Sequence, residues 1–169
     1  MCIRDRQQID CLNRIKHASD HSKALLSKIL STRSLDSAEL KLKLEEVDLK
    51  GLIETVVKDH EIAAANKKIN LSFNIQENEN FNALADKNYT EQVIDNLISN
   101  AIKFSSAEES VNISLKRING SVRMEVIDNG PGVSDEDMEK LFGKYQRLSA
   151  KPTAGETSTG LGLSIVKKY

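Results

Sequence analysis

The stretch VNISLKRINGSVRMEVIDNGPG, residues 111–132, decides how the chain is built. Apolar and polar residues alternate on both sides of Asn119-Gly120, a dipeptide that suits a two-residue hairpin turn because both of its positions require positive φ. Such a turn fixes the register. Residue 118 faces 121, Leu115 faces Met124 and Ile113 faces Val126, so strands over 111–118 and 121–128 are expected to carry their apolar side chains on one face. On that parity Asp128 points toward the same face as Val122, Met124 and Val126, which is costly for a carboxylate without a partner.

Working outward, Asp86 is a plausible N-cap, and Val93, Ile94, Leu97, Ile98, Ala101 and Ile102 recur at the three-to-four spacing of an amphipathic helix. Residues 81–85 predict a short strand, and Ile69, Leu71, Phe73 and Ile75 a longer one. Asp48 opens a further helix through Leu52, Ile53, Val56, Val57 and Ile62 into Ala63-Ala64-Ala65. Leu40, Leu42 and Leu44 alternate with charged residues as a half-exposed strand would. Residues 7–30 form an amphipathic pattern that needs a partner for its apolar stripe, the character of a bundle helix. Residues 143–159 have no periodicity, as expected of a functional loop, and a last helix starts after Gly160-Leu161-Gly162.

The chain has 169 residues, 39% hydrophobic and 29% charged, enough for a real core and unlike a disordered or collagenous chain. Its formal charge of -1 supplies no global basic field for nucleic acid or an anionic membrane. No apolar run approaches the roughly 18 residues of a membrane span, and the start lacks a signal-peptide segment. Cys2 and Cys11 form no Cys/His cluster, which favours reduced thiols in a cytosolic setting.

Three constellations carry chemistry. Asn96, Asn100 and Lys103 share a narrow stripe of one helix, either a solvated polar face or a site in which an amide oxygen meets Mg²⁺ and a lysine meets phosphate. Asp128 before Asn129-Gly130-Pro131-Gly132 is either an Asx turn or an acceptor for an amino group such as that of adenine. Gly155 and Gly160 fit the P-loop frame, but Leu161 and Gly162 stand where Lys and Ser/Thr are required, and the dinucleotide fingerprint fails at Ile165. What remains is a glycine pair opening a helix, either an ordinary helix entry or a set of N–H groups for phosphate.

Taken in order, these stretches resemble sensor histidine kinases. Asn96-Leu97-Ile98-Ser99-Asn100-Ala101-Ile102-Lys103-Phe104 resembles the N box, Asp128-Asn129-Gly130-Pro131-Gly132 the G1 box, Leu141-Phe142-Gly143-Lys144-Tyr145 the F box, and Ser158-Thr159-Gly160-Leu161-Gly162-Leu163 the G2 box. The resemblance implies an α/β two-layer sandwich of a mixed, mostly antiparallel sheet and helices, shared with gyrase-type and chaperone ATPases. It implies a catalytic domain over residues 40–169 lacking its last strand or strands. Residues 1–35 would be the second helix of a dimerisation and phosphoacceptor hairpin, and Met1 to Arg6 resemble translated adaptor sequence.

By the same resemblance ATP and Mg²⁺ are the cofactors, with Asn100 as metal ligand, Asn96 near the phosphates and waters, and Lys103 and Arg147 on phosphate. Asp128 would accept from the adenine amino group, and Gly130 and Gly132 would shape the base pocket. Phe104, Phe142, Lys144, Tyr145, Thr159, Gly160, Leu161 and Gly162 complete the ATP-binding set, with residues 144–159 as a lid that should be mobile without ligand. Relatives that hydrolyse ATP carry a water-activating Glu where Asn96 stands, which suits a transferase here.

The γ-phosphoryl group would pass to a histidine outside the chain, since neither His17 nor His21 is followed by Glu or Asp. The implied partners are a second copy through the bundle and a response regulator, in the cytoplasm, with any membrane anchor in other parts of the parent protein. The alternatives are an anti-sigma-type serine kinase and a non-catalytic ATP-binding clamp of the same fold.

Overall fold

Two capped helices and a hairpin organise the chain from Lys41 onward. The computed structural model describes residues 41–76, 79–146, 148–156 and 158–169. The helix expected over 7–30, both cysteines, His17, His21, Leu40 and Arg147 lie outside the described residues.

Strand β1 (Glu45–Asp48) runs directly into helix α1 (Leu49–Asn66), where the Asp48 carboxylate accepts the Gly51 N–H at 3.2 Å. Strands β2 (Asn70–Ile75) and β3 (Asn82–Ala85) follow. Helix α2 (Lys87–Phe104) opens under Asp86, whose Oδ1 accepts the N–H groups of Asn88 and Tyr89 at 3.1 and 3.2 Å. Strands β4 (Ser110–Ile118) and β5 (Ser121–Ile127) make the hairpin, a short helix α3 (Asp135–Met138) comes next, and α4 (Gly162–Lys168) closes the described chain.

Asn119 and Gly120 adopt φ of 50° and 81°, and the pairs Ile113↔Val126, Leu115↔Met124 and Ile118↔Ser121 form as the turn requires. Strand β2 lies parallel to β4 on the other side, the chain between them crossing over through α2, while β1 pairs antiparallel with β3. The sheet structure is therefore mixed and mostly antiparallel. The strand expected over the leucines at 40, 42 and 44 begins instead at Glu45. Its partner β3 ends at Ala85, opposite Glu45, because Asp86 turns the chain into α2, so earlier residues have no strand to pair with and Leu42 and Leu44 stay exposed.

One layer is the strands, in a two-stranded sheet β1-β3 and a three-stranded sheet β2-β4-β5, and the other is α1 and α2. Val111, Ile113 and Leu115 of β4 are buried against Ile53 and Val56 of α1 and Ile94, Ile98 and Ile102 of α2, with Leu71, Phe73, Val122, Met124 and Val126 at the margin. Not every apolar strand residue joins them. Ile118 and Ile127 have the opposite parity and are exposed. Ile62 was expected on the apolar stripe of α1, but it is 75% exposed. Among the described residues no helix is long and apolar enough to cross a membrane.

Ile98 is 0% exposed, so Ile98→Ala should lower the unfolding free energy by about 2 to 5 kcal/mol in urea titration. Ile62→Ala should change it by no more than about 0.5 kcal/mol. Equal losses would mean that α2 is not the helix that fills the core.

Candidate functional site

Helix α2 presents Ile94, Ile98 and Ile102 to the core, and its other face is left to the loops that follow β5. On that face the sequence places Asn96, Asn100 and Lys103. Asn96 is only 3% exposed, and its Nδ2 donates back to Gln92 O at 2.8 Å. Gly162 lies over it. A Cβ added there would come within 2.9 Å of Asn96 Oδ1 and 3.7 Å of Asn100 Nδ2. The structure thus brings the glycine pair onto the asparagine stripe, with Asn96 buried beneath the start of α4. Asn100 and Lys103 remain partly exposed.

Asp128 follows the last residue of β5 and is exposed, so the burial expected from strand parity does not occur. Its Oδ1 accepts the Gly130 N–H at 2.9 Å, which is the Asx turn. Its Oδ2 has no partner among the described residues, so the turn uses only half of the carboxylate. Gly130 sits tightly between that side chain and the end of α2, since a Cβ would meet Asp128 Oδ1 at 2.8 Å and Phe104 O at 3.1 Å. Gly132 has φ of 70° and open space around it.

The segment after α3 is tied down at several points. Ser149 donates its N–H and its hydroxyl to Asp137 Oδ2 at 2.8 and 2.6 Å, and these bonds, the hydroxyl first, hold the Asp137 carboxyl below its ordinary range. Thr153 donates its N–H to Lys103 O at 3.2 Å and its hydroxyl to Ser105 O at 2.6 Å. Within the loop expected to be mobile over 144–159, Ser149 is thus bonded to α3 and Thr153 to the end of α2.

Gly160, with φ of 67°, lies against backbone, because a Cβ would come within 2.5 Å of Gln146 O and 2.8 Å of Tyr145 C. Next to it Leu161 and Ile165 are fully buried, seating α4 on α2. Phe142 and Tyr145 are exposed, the former with the Lys167 ammonium 5.5 Å from its ring centre. Lys144 is exposed on the same turn, and Thr159 is half-buried just before Gly160.

Two features escaped the sequence reading. His60, the third histidine, is followed by Glu61, but it sits on α1 with its ring nitrogen 2.9 Å from Asp95 Oδ1 of α2. Lys67, in the turn after α1, reaches the end of α2. The His60-Glu61 pair is visible in the sequence and Lys67 belongs to no spacing pattern, but only the packing of α1 on α2 reveals what either side chain meets.

Residues 85–169 match the family model described as histidine kinase-, DNA gyrase B-, and HSP90-like ATPase. Over 143 residues the chain is 30% identical to the sensor-like histidine kinase SenX3 of Mycolicibacterium smegmatis, covering 85% of this chain and 37% of that protein. The chain thus spans little more than a third of that relative. The full-length structure of ShkA in complex with AMPPNP superposes with a TM-score of 0.75 at 27% identity, over 96% of this chain and 33% of that one. The nucleotide-free catalytic domain of histidine kinase ThkA superposes with a TM-score of 0.64 at 30% identity, over 75% of this chain and 79% of that one, and ThkA in complex with response regulator protein TrrA with 0.63 at 27% identity, over 80% of this chain and 39% of that one.

The two positive-φ glycines separate strain from collision. Gly132→Ala should cost only the left-handed backbone strain, about 1 to 2 kcal/mol. Gly160→Ala adds a clash with backbone that cannot rotate away, and should both lower the melting temperature further and raise amide exchange at Tyr145 and Gln146. Equal melting losses would show that the contact between Gly160 and the preceding turn does not hold the loop.

Proposed function

The chain belongs to the histidine kinase-, DNA gyrase B-, and HSP90-like ATPase family, as the catalytic region of a sensor histidine kinase, and on that footing we propose how its site handles ATP. In the whole protein this region moves the γ-phosphoryl group of ATP to a histidine carried elsewhere. The P–O bond to ADP breaks and a P–N bond to the imidazole forms. The observation that carries the reading is the meeting of three separate stretches on one helix. Gly162 rests on Asn96 and Asn100, Gly130 rests on Phe104, and Thr153 is bonded to Lys103.

The residues fit the nucleotide. The spare Asp128 oxygen suits the exocyclic amino group of adenine, and the close approach of Gly130 keeps the backbone clear of a flat base. Asn100 and Lys103 lie on the side where the phosphates belong, the first as an oxygen donor for Mg²⁺ and the second as a point charge. Among the described residues no three His, Cys, Asp or Glu side chains cluster to hold a metal. The ion would therefore come with the phosphates and supply charge neutralisation there, with Asn100 as its protein ligand. Phosphoryl transfer asks mainly for positioning and charge, which is what this set offers. Phe142, Lys144, Tyr145, Thr159, Gly160 and Leu161 are assigned to the nucleotide site, and Arg147 to the γ-phosphate, from the resemblance alone. A response regulator receives the phosphoryl group next, a reading supported by the ThkA complex, and a second copy supplies the other half of the bundle.

Asp128→Asn should weaken adenine nucleotides by about 1 to 3 kcal/mol, the range for losing a buried charged acceptor once the base covers it. GTP, which has a carbonyl where adenine has the amino group, should lose much less. Calorimetric titration decides, since equal losses would leave Asp128 as a turn residue only.

The 169-residue chain should not label itself from radiolabelled ATP. His17 and His21 lack the following acid, and His60 is engaged with Asp95 in the interface of α1 and α2. Acid-labile, base-stable phosphate on any of the three would overturn that expectation.

A further inference from the structure

Lys67 leaves α1 and places its ammonium group, only 9% exposed as a side chain, at the C-terminal end of α2. An ammonium has three donors, and all three are used. They go to Ile102 O at 2.8 Å, Lys103 O at 2.7 Å and Glu156 Oε1 at 2.9 Å. The first two acceptors are carbonyls of the last helical turn, which have no partner within the helix and carry the negative end of its dipole. The third is a carboxylate from the loop that leads to Gly160.

The loop side is equally built. Glu156 Oε2 accepts the Ala154 N–H at 2.9 Å, and Thr153 donates to Lys103 O and Ser105 O, so both oxygens of Glu156 hold a turn that lies on the helix end. Burial draws the Glu156 carboxyl upward. The hydrogen bond from Lys67, those from backbone N–H groups and the Lys67 charge together outweigh it and hold the group ionised below its ordinary range. A surface lysine in solvent would do none of this. Here a charge with little access to water is balanced on one side by a helix end and on the other by a loop 89 residues away in sequence.

We infer that Lys67 is a positioning residue for the phosphate side of the nucleotide site, fixing the turn that carries Lys103 and clamping the loop 153–156 onto it through Glu156. The inference rests on the ATP-binding reading above. It does not require Lys67 to touch the nucleotide. The turn bearing Lys103 and the approach to Gly160 and Gly162 are set relative to one another by one ammonium group, so losing it should loosen the grip on phosphates and leave the base contacts at Asp128 alone.

The test uses the 169-residue chain and four variants: Glu156→Gln, Lys67→Met, the two combined, and Lys67→Arg. Binding of the β,γ-imido analogue of ATP with Mg²⁺, and of adenosine, is measured by calorimetry, and amide exchange at Thr153 is measured without ligand. Glu156→Gln changes only the loop side and should spare the fold even if Lys67→Met does not. It should speed exchange at Thr153 and weaken the analogue about fivefold while adenosine is unchanged. Lys67→Met should do the same, the combined variant should lose no more than Lys67→Met alone, and Lys67→Arg should recover most of the affinity. Unchanged Thr153 exchange and analogue affinity in Glu156→Gln would overturn the inference. So would equal weakening of analogue and adenosine, or losses that add in the combined variant. An unaltered chain that binds no analogue would overturn the ATP-binding reading itself, a different result from a chain that binds it and is indifferent to Glu156.

Discussion

Helix α2 is covered from two sides, and the rest of the chain is arranged around that double burial. Its isoleucines at 94, 98 and 102 fill the core against β4, while Asn96 and Ala101 are also withdrawn from water. A helix packed on two sides has less face left for solvent, and the polar groups it buries need partners. Asn96 turns back to Gln92 O, Ser105 caps Ala101 O, and the last carbonyls are taken by Lys67 and Thr153. The site is built from the same groups that allow the helix to be buried.

Close backbone approach is the second constraint. Gly130, Gly160 and Gly162 occur where a side chain would strike a carboxylate, a backbone carbonyl or a buried amide, so each marks a place where its own backbone is packed too closely to carry one. That arrangement leaves room for a ligand to be met by backbone and by short polar groups. The loop after α3 is bonded at Ser149 and Thr153 as well, so the glycine contacts do not hold it alone.

Much of this was legible beforehand. The Asn119-Gly120 turn and its flanking alternation dictate the hairpin and its register, and Asp48 and Asp86 announce their helices because a short carboxylate can satisfy N–H groups two or three residues on. The asparagine stripe, the Asp128 turn and the glycine pair were each visible as local patterns. The strand expected at residues 40–44 failed because pairing depends on where the partner ends, and β3 ends at Ala85. Ile62 looked apolar in sequence and is exposed, because it falls on the opposite side of α1 from the buried Ile53, Val56 and Ala64.

The sequence by itself determined the periodicities, the caps and the turn, since those follow from interactions between residues a few positions apart. Only the tertiary structure decided which polar groups would lose water. Asn96 became a buried support for Gly162, Asp128 stayed exposed with one oxygen spare, and Lys67 found Glu156 across 89 residues of chain. Each of those outcomes depends on desolvation and on carbonyls left open at a helix end, which arise when elements distant in sequence pack and have no signature in any local spacing.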